Sequence, residues 1–434
     1  MKRLLSTLLV LTTASFAQPD KAFNAHDYGA RGDGRTKDTA AIQKAIDACT
    51  QAGGGTVQLP AGTYLSGSIY LKDNVDFYLM AGATLLGSPD KEDYNPENVC
   101  PQNIGYRAES SFGAHLILTI EQKNVTVRGP GRIDGNSLAF IVDKSGKPHP
   151  GSQGGIPWRP SQMLYFVESQ NIAVRDIELM NSPYWTCFFH GCTQVFVRGA
   201  NVHNSRSPHT HNGDGFDVDC CQFVSISDCH INVADDCITL RADGERLKNP
   251  QPCKYITVAN CTLSSPRNCV RIGVGDGQVS HAVFSNLVIH DARTAFNFFS
   301  SWSATSRGTD IDTIRFNTVS VECKDLIQIQ YGYATETKIQ NVYFSGISGT
   351  ILGTSHLSGK PGLALKNIQL SDFSIEGPGD ESFMEAADVD GLVLRDIRIQ
   401  GKAPKIGLKN VTDLQVDNCK PEPQKMPDGE IKKP

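Results

Sequence analysis

From residue 73 onward the chain repeats a short pattern: one or two polar residues, then apolar residues at alternate positions, ending near Gly, Asn or Asp. It reads Lys123-Asn124-Val125-Thr126-Val127, Gln170-Asn171-Ile172-Ala173-Val174, Gln222-Phe223-Val224-Ser225-Ile226 and Gln340-Asn341-Val342-Tyr343-Phe344, and its last copy is Thr412-Asp413-Leu414-Gln415-Val416. Period-two alternation in short runs rich in β-branched residues and bounded by turn formers predicts strands with one buried face. After residue 170 successive copies begin 22 to 32 residues apart, the range of a solenoid. A propeller blade needs a longer repeat with four strands, and a leucine-rich repeat needs its Asn and Leu at fixed offsets. The expected fold is therefore all-β, a right-handed parallel β-helix in which every coil adds strands to long parallel sheets and stacks its apolar residues on those of the next.

A solenoid has to cover its ends, or the terminal coils present open sheet edges. Residues Thr39 to Cys49 form an amphipathic pattern with Asp38 as the expected N-cap and Gly53-Gly54-Gly55 as the stop, which predicts a short N-terminal capping helix. At the very start, Met1-Lys2-Arg3, the apolar run Leu4 to Leu11 and Ser15-Phe16-Ala17 predict a signal peptide over residues 1–17. The expected organisation is a single β-helix domain over 18–419 and a flexible tail over 420–434, since Lys420 to Pro434 is rich in Pro and Lys. Export to the periplasm or the outside follows, and a monomer is expected.

The apolar run is shorter than the roughly 20 residues that span a bilayer, so no membrane association is expected. A formal net charge of −5 over 434 residues predicts neither nucleic acid nor an anionic surface as partner. Thirteen cysteines in an exported chain raise the question of disulfides. Yet Cys220, Cys221, Cys229, Cys237, Cys253, Cys261 and Cys269 fall inside apolar runs, where the thiol behaves as a small buried hydrophobe. Buried thiols are the leading reading and one or two disulfides the alternative. Without a CxxC pair a zinc site is not expected.

The stretch with chemical content is Asn212-Gly213-Asp214-Gly215-Phe216-Asp217, followed a coil later by Asp235-Asp236. Asp214 and Asp235 are 21 residues apart, which places them at matching positions on adjacent coils about 5 Å apart. Consecutive residues of a strand face opposite ways, so Asp235 and Asp236 share a cleft only if the backbone bends between them. Converging carboxyls suit inverting glycoside hydrolysis, in which one acid protonates the leaving oxygen and carboxylates across the bond activate water, and mutual repulsion keeps one of them protonated. Asp217, Asp219 and Asp228 are read as turn caps or outer ladders instead. His209 and His211 stand close by in sequence with His203 and are open to three readings: sugar contact, structural hydrogen bonding, or a metal held with Asp214. Trp185, Trp302 and Phe299 are candidates for stacking on sugars or for packing.

These motifs resemble glycoside hydrolase family 28, the polygalacturonase family, over nearly the whole chain. The resemblance includes Asp27-Tyr28-Gly29-Ala30-Arg31-Gly32-Asp33-Gly34, Gly129-Pro130-Gly131-Arg132-Ile133-Asp134-Gly135, Arg159-Pro160 and Asn181-Ser182-Pro183-Tyr184-Trp185. The family's Asn-Thr-Asp motif is similar to Asn212-Gly213-Asp214, and its Asp-Asp pair matches Asp235-Asp236. The resemblance implies Asp235 as general acid, Asp214 and Asp236 as the pair that holds and deprotonates water, and no metal or cofactor.

Two family motifs are altered. In place of Gly-His-Gly stands the segment Arg267 to Gly273, with Asn268 at the histidine. In place of Arg-Ile-Lys, whose cations contact a uronate, stands Ala295-Phe296-Asn297-Phe298-Phe299. Arg241, Arg267, Arg271 and Arg293 are the candidate replacements or surface groups, with Arg293 sharing a face with Asn297 if the strand is regular. Tyr331 or Tyr333 is a cleft tyrosine or packing. The expected partner is a pectin-type polysaccharide or oligosaccharide, bound by Asn212, His209, His211, Arg241, Asn268, Arg271, Arg293, Asn297 and Tyr331. Exo attack is favoured by the lengths of the segments 104–115 and 141–162. A polysaccharide lyase and a non-catalytic carbohydrate-binding β-helix are the competing functions.

Overall fold

The computed structural model describes residues 21–105, 111–142, 145, 147, 156–204, 212–377, 382–402 and 404–426. The proposed signal peptide, His209 and His211 lie outside them. The strands build three parallel sheets. The first stacks Ile117–Ile120, Leu164–Val167, Cys187–His190, Phe216–Asp219, Ile238–Ala242 and Asn268–Gly275, each in register with the next. The second stacks Lys123–Arg128, Gln170–Arg175, Thr193–Arg198, Gln222–Ser227 and Cys253–Ala259. The third stacks Arg132–Asp134, Glu178–Met180, Asn201–His203, His230–Asn232 and Thr262–Ser264. One pass through the three sheets is one coil, so the chain is a parallel β-helix. From Gln278 the strands of a coil run together: Gln278–Ser301 pairs in turn with the second, third and first sheets.

Asparagine marks the corners because of the backbone it must adopt there. Asn124, Asn171, Asn341 and Asn367 all sit at φ between 51 and 58°, the left-handed region that Asn tolerates better than most residues. Their amides bond along the stack, Asn171 Nδ2 to Asn124 Oδ1 at 2.8 Å and Asn124 Nδ2 to Asn74 Oδ1 at 2.7 Å. Inside, alternate residues of every sheet close one continuous core, with Phe284, Phe316 and Phe344 stacked at centroid spacings of 4.7 and 5.0 Å. All thirteen cysteines are free thiols, twelve of them buried. The disulfide alternative therefore has no counterpart in the structure.

A helix spans Thr39–Gln51 and buries Ile42, Ala45, Ile46 and Cys49 against the first strands. Asp38 holds the N-cap position, its carbonyl accepting from the Ile42 N–H at 2.9 Å, but its carboxylate makes no capping bond and accepts instead from the backbone N–H groups of Arg31 and Gly32 at 2.8 and 3.0 Å. At the other end the chain stays in the sheet beyond residue 419, where the sequence predicts a tail. Pro423–Lys425 pairs with the strand Ile406–Asp417, and 427–434 lie outside the described residues.

Candidate active site

The backbone register brings the aspartates together. Phe216 pairs with Ile238, and the N–H of Gly215 donates to the carbonyl of Asp236 at 2.9 Å, so Asp214 lies beside Asp236 on the next coil, 22 residues on rather than 21. Gly215 is required at this contact, because a Cβ there would come within 2.4 Å of the Cys237 carbonyl. Asp235 and Asp236 sit in a bend ahead of the strand Ile238–Ala242, which frees them from strict alternation. On the N-terminal side, Thr186 donates through its N–H and its hydroxyl to the Asp214 carbonyl, at 2.9 and 2.6 Å. Asn204 Nδ2 holds that hydroxyl at 2.7 Å.

Burial and like charge set the protonation of the cluster. Asp214 is buried, its Oδ1 has no hydrogen-bond partner among the described residues, and its proton affinity is raised well above the carboxylate range by burial first and then by Asp217, Asp235 and Asp236. Burial, followed by the charge of Asp236, pushes Asp235 up to about 7, against the opposing pull of Arg271, Arg267 and the Asn212 N–H. Asp236 is bonded instead: Asn268 Nδ2 donates to its Oδ1 at 2.6 Å and Arg271 Nη1 to its Oδ2 at 3.0 Å. Asn297 Nδ2 in turn donates to Asn268 Oδ1 at 2.9 Å, so Asn268, Arg271 and Asn297 form one assembly with Asp236. Asn212 joins through its backbone to Asp235 and through its Oδ1 to Arg159 Nη2 at 3.1 Å.

The arrangement corrects several expectations. Asp217 and Asp219 are not outer turn caps. Phe216 and Val218 turn into the core, which puts both aspartates on the opposite face, and both are fully buried there. Neither Asp217 oxygen has a hydrogen-bond partner among the described residues, and burial pushes this carboxyl up to about 8. Arg241 is buried and faces Asp219, with Nε 3.5 Å from its Oδ2, and lies 4.6 Å over the Trp185 ring. Tyr331 is not in the cleft: it points into the core, its hydroxyl bonded to the Ala364 carbonyl at 3.1 Å, because the outward positions of its strand are Gln328 and Gln330. Arg293 does not share a face with Asn297. Ala295 and Phe296 both enter the core, breaking the alternation between them, and Arg293 and Arg267 are exposed one residue ahead of the paired Thr294 and Asn268.

Trp302 is 56% exposed, stacked on Phe299 at 4.0 Å and under the Arg271 guanidinium at 4.8 Å, so it can offer a sugar an open flank. Trp185 is buried beneath Arg241. In sequence Arg159 stands out only within the motif Arg159-Pro160, and Thr239 and Gln328 are not singled out. The alternation of their strands was the one signal for the last two, since Leu240, Ile327 and Ile329 mark the inward positions.

Residues 49–390 match the model of glycosyl hydrolases family 28. A probable polygalacturonase of Vitis vinifera is 27% identical over 56% of this chain and 49% of its own length. An exo-poly-alpha-D-galacturonosidase of Dickeya chrysanthemi is 28% identical over 64% of this chain and 52% of its own. The chain thus aligns with about half the length of these two relatives. The crystal structure of a hyperthermoactive exopolygalacturonase from Thermotoga maritima superposes with a TM-score of 0.66 at 22% identity, covering 92% of both chains, which speaks to the fold. With a β-helix whose adjacent coils gather Asp214, Asp235 and Asp236, and a family match over most of its length, this chain belongs to glycoside hydrolase family 28.

Proposed function

We propose that the protein hydrolyses an α-glycosidic bond in pectin or a related plant glycan with inversion at the anomeric carbon. Asp235 is the general acid, and Asp214 with Asp236 holds the attacking water. The observation that carries this reading is the division of labour among carboxyls on two adjacent coils. Asp235 holds its proton up to about pH 7, as a group that must protonate a leaving oxygen requires. Asp236, bonded by Arg271 and Asn268, is the carboxylate that takes the proton from water. The buried Oδ1 of Asp214, unpartnered among the described residues, is the acceptor that holds the same water. Exo attack is part of the proposal, supported by the exo-acting relative. So are export directed by residues 1–17, a single monomeric domain over 18–419, a right-handed coil and end-capping by Thr39–Gln51.

Incubation with homogalacturonan, rhamnogalacturonan, xylogalacturonan and neutral glycans tests the activity. Reducing ends released without a product absorbing in the ultraviolet support hydrolysis, and an absorbing product identifies a lyase. Asp235→Asn should lower turnover by about 10²- to 10⁴-fold, the ordinary share of a general acid. A variant as active as the parent overturns the assignment.

A further inference from the structure

The second sheet carries an outlier of its own. Its strands are entered through a residue in the left-handed region, and Asn74, Asn124, Asn171, Asn341 and Asn367 fill that position at φ between 51 and 61°. On two adjacent coils Phe223 and Tyr255 hold it instead, at φ 57 and 62°. A bulky side chain is a genuine outlier there, and such strain gathers where a site needs it. Burial does not account for the choice, since Phe223 is 52% exposed and Tyr255 44%. The two rings stack at 5.2 Å, which offsets part of the strain and leaves a strip of apolar surface facing solvent. On the coil before, Phe196 points outward from the strand Thr193–Arg198, 47% exposed and flanked by the small Ala173 and Ser225 of the neighbouring strands. Large apolar groups gathered on one exposed face mark an interaction surface.

Charge says what covers it. Arg128, Arg175 and Arg198 stand in register at the far end of the same strands, one coil step of about 4.8 Å apart. Like charges directly opposite one another destabilise a sheet. Asp76 neutralises Arg128 through bonds at 2.8 and 2.6 Å, and Asp176 lies 3.8 Å from Arg198, both side chains exposed. Arg175, exposed between them, has no acid in reach among the described residues. Lys254 adds a cation at the near end, 4.8 Å over the Tyr255 ring, and Asp228 at the far end is held by Ser227 Oγ and Asn260 Nδ2 at 2.9 and 3.1 Å. An anion laid across the row relieves its repulsion. A uronate chain supplies carboxylates to the guanidinium forks at intervals comparable to the coil step, and the C–H faces of its rings suit exposed aromatics. We propose that Phe196, Phe223 and Tyr255, with Arg175 and Arg198, form a non-catalytic binding surface for an acidic glycan. It is separate from Asp214, Asp235 and Asp236, which stand at the entrance to the first sheet. For the class of its ligand the proposal rests on the glycan-hydrolase reading above.

The test is affinity electrophoresis of the Asp235→Asn protein through native gels containing polygalacturonate, neutral galactan or double-stranded DNA. Polygalacturonate should retard it most. Adding Arg175→Gln with Phe196→Ala should weaken that retardation by at least about fivefold, the loss of one charged hydrogen bond and one aromatic contact. The same pair made with Asp235 intact should leave turnover of a short galacturonate oligomer within about twofold of the parent, as a surface apart from the cleft requires. Phe223→Asn, which puts the tolerated residue at the left-handed position, should weaken retardation while keeping or raising the thermal transition. A smaller loss in the double variant, equal retardation by galactan or DNA, or a matching loss of turnover on the short oligomer overturns the proposal. So does a Phe223→Asn protein that melts earlier and is retarded as before, which makes the ring a structural rung. A dimer in sedimentation that Phe196→Ala abolishes overturns it too, since a second copy then covers this face. Hydrolysis is read separately in the parent protein: retardation as expected without turnover of any glycan removes only the hydrolase reading, and turnover without retardation removes only the surface.

Discussion

Asp217 shows how a side chain's surroundings outweigh its motif. In sequence it is one more aspartate in a run that includes Asp219, and turn-capping is the ordinary use of Asp in a β-helix. The structure buries it between Phe188 and Thr239 on neighbouring coils, unpartnered, as the largest of the charged neighbours that raise Asp214. Asp217→Asn removes that repulsion, so Asp214 should release its proton at lower pH and the acid limb of the kcat/KM profile should move down. A pH–rate profile reads this directly, and an unmoved limb means that Asp217 and Asp214 are not coupled. The proximity of Asp214 to the Asp235-Asp236 pair was legible because the motif spacing, 21 residues to Asp235, lies within one residue of the coil step that pairs Phe216 with Ile238. The setting of Asp217 was not, because its neighbours Arg241, Asp236 and Arg271 come from other coils.

At the scale of the strand, alternation was readable and its interruptions were not. Arg293 was misplaced by a single break in the in-out rhythm, the consecutive inward Ala295 and Phe296, which puts the side chains on either side of it on opposite faces. Tyr331, offered for the cleft by the family resemblance, turns inward in the regular alternation with Ile329. Gly215 and the aromatic stack show what the elements contribute. Gly215→Ala forces a Cβ against the Cys237 carbonyl and must part the two coils that hold Asp214 and Asp236. A displacement of about 1 Å there should cost about 10²-fold in turnover, measured with the variant still folded by circular dichroism. Phe316→Ala, removing the ring between Phe284 and Phe344, should cost about 3–5 kcal/mol in denaturant unfolding while leaving the site's residues in place. Values under 1 kcal/mol would mean that the stack does not support the core.

The whole molecule was legible as a solenoid because its period repeats, and its ends were not, because terminal coils have a neighbour on one side only. Pro423–Lys425 extends the sheet where composition alone predicts a tail. The buried carboxyls also give the molecule a global pH response. Asp217 and Asp235 rise from an ordinary 3.8 to about 8 and about 7, so between about pH 4 and 8 the native state binds more protons than the unfolded chain. Stability is then greatest at the acid end of that window and falls as pH rises through it. Calorimetry from pH 4.5 to 8.5 should show a declining Tm, with a shallower decline for Asp217→Asn. A Tm that rises with pH across this range contradicts the buried-acid assignment.

In the proposed mechanism Asp235 delivers a proton from one side of the scissile bond while Asp214 and Asp236 deliver water from the other. Proton NMR of the first product formed on the best glycan substrate, recorded before mutarotation, tests it most directly. Direct water attack opposite the leaving group predicts that an α-linked substrate first yields the β-anomer. The α-anomer as first product would mean a covalent intermediate, and would contradict the account.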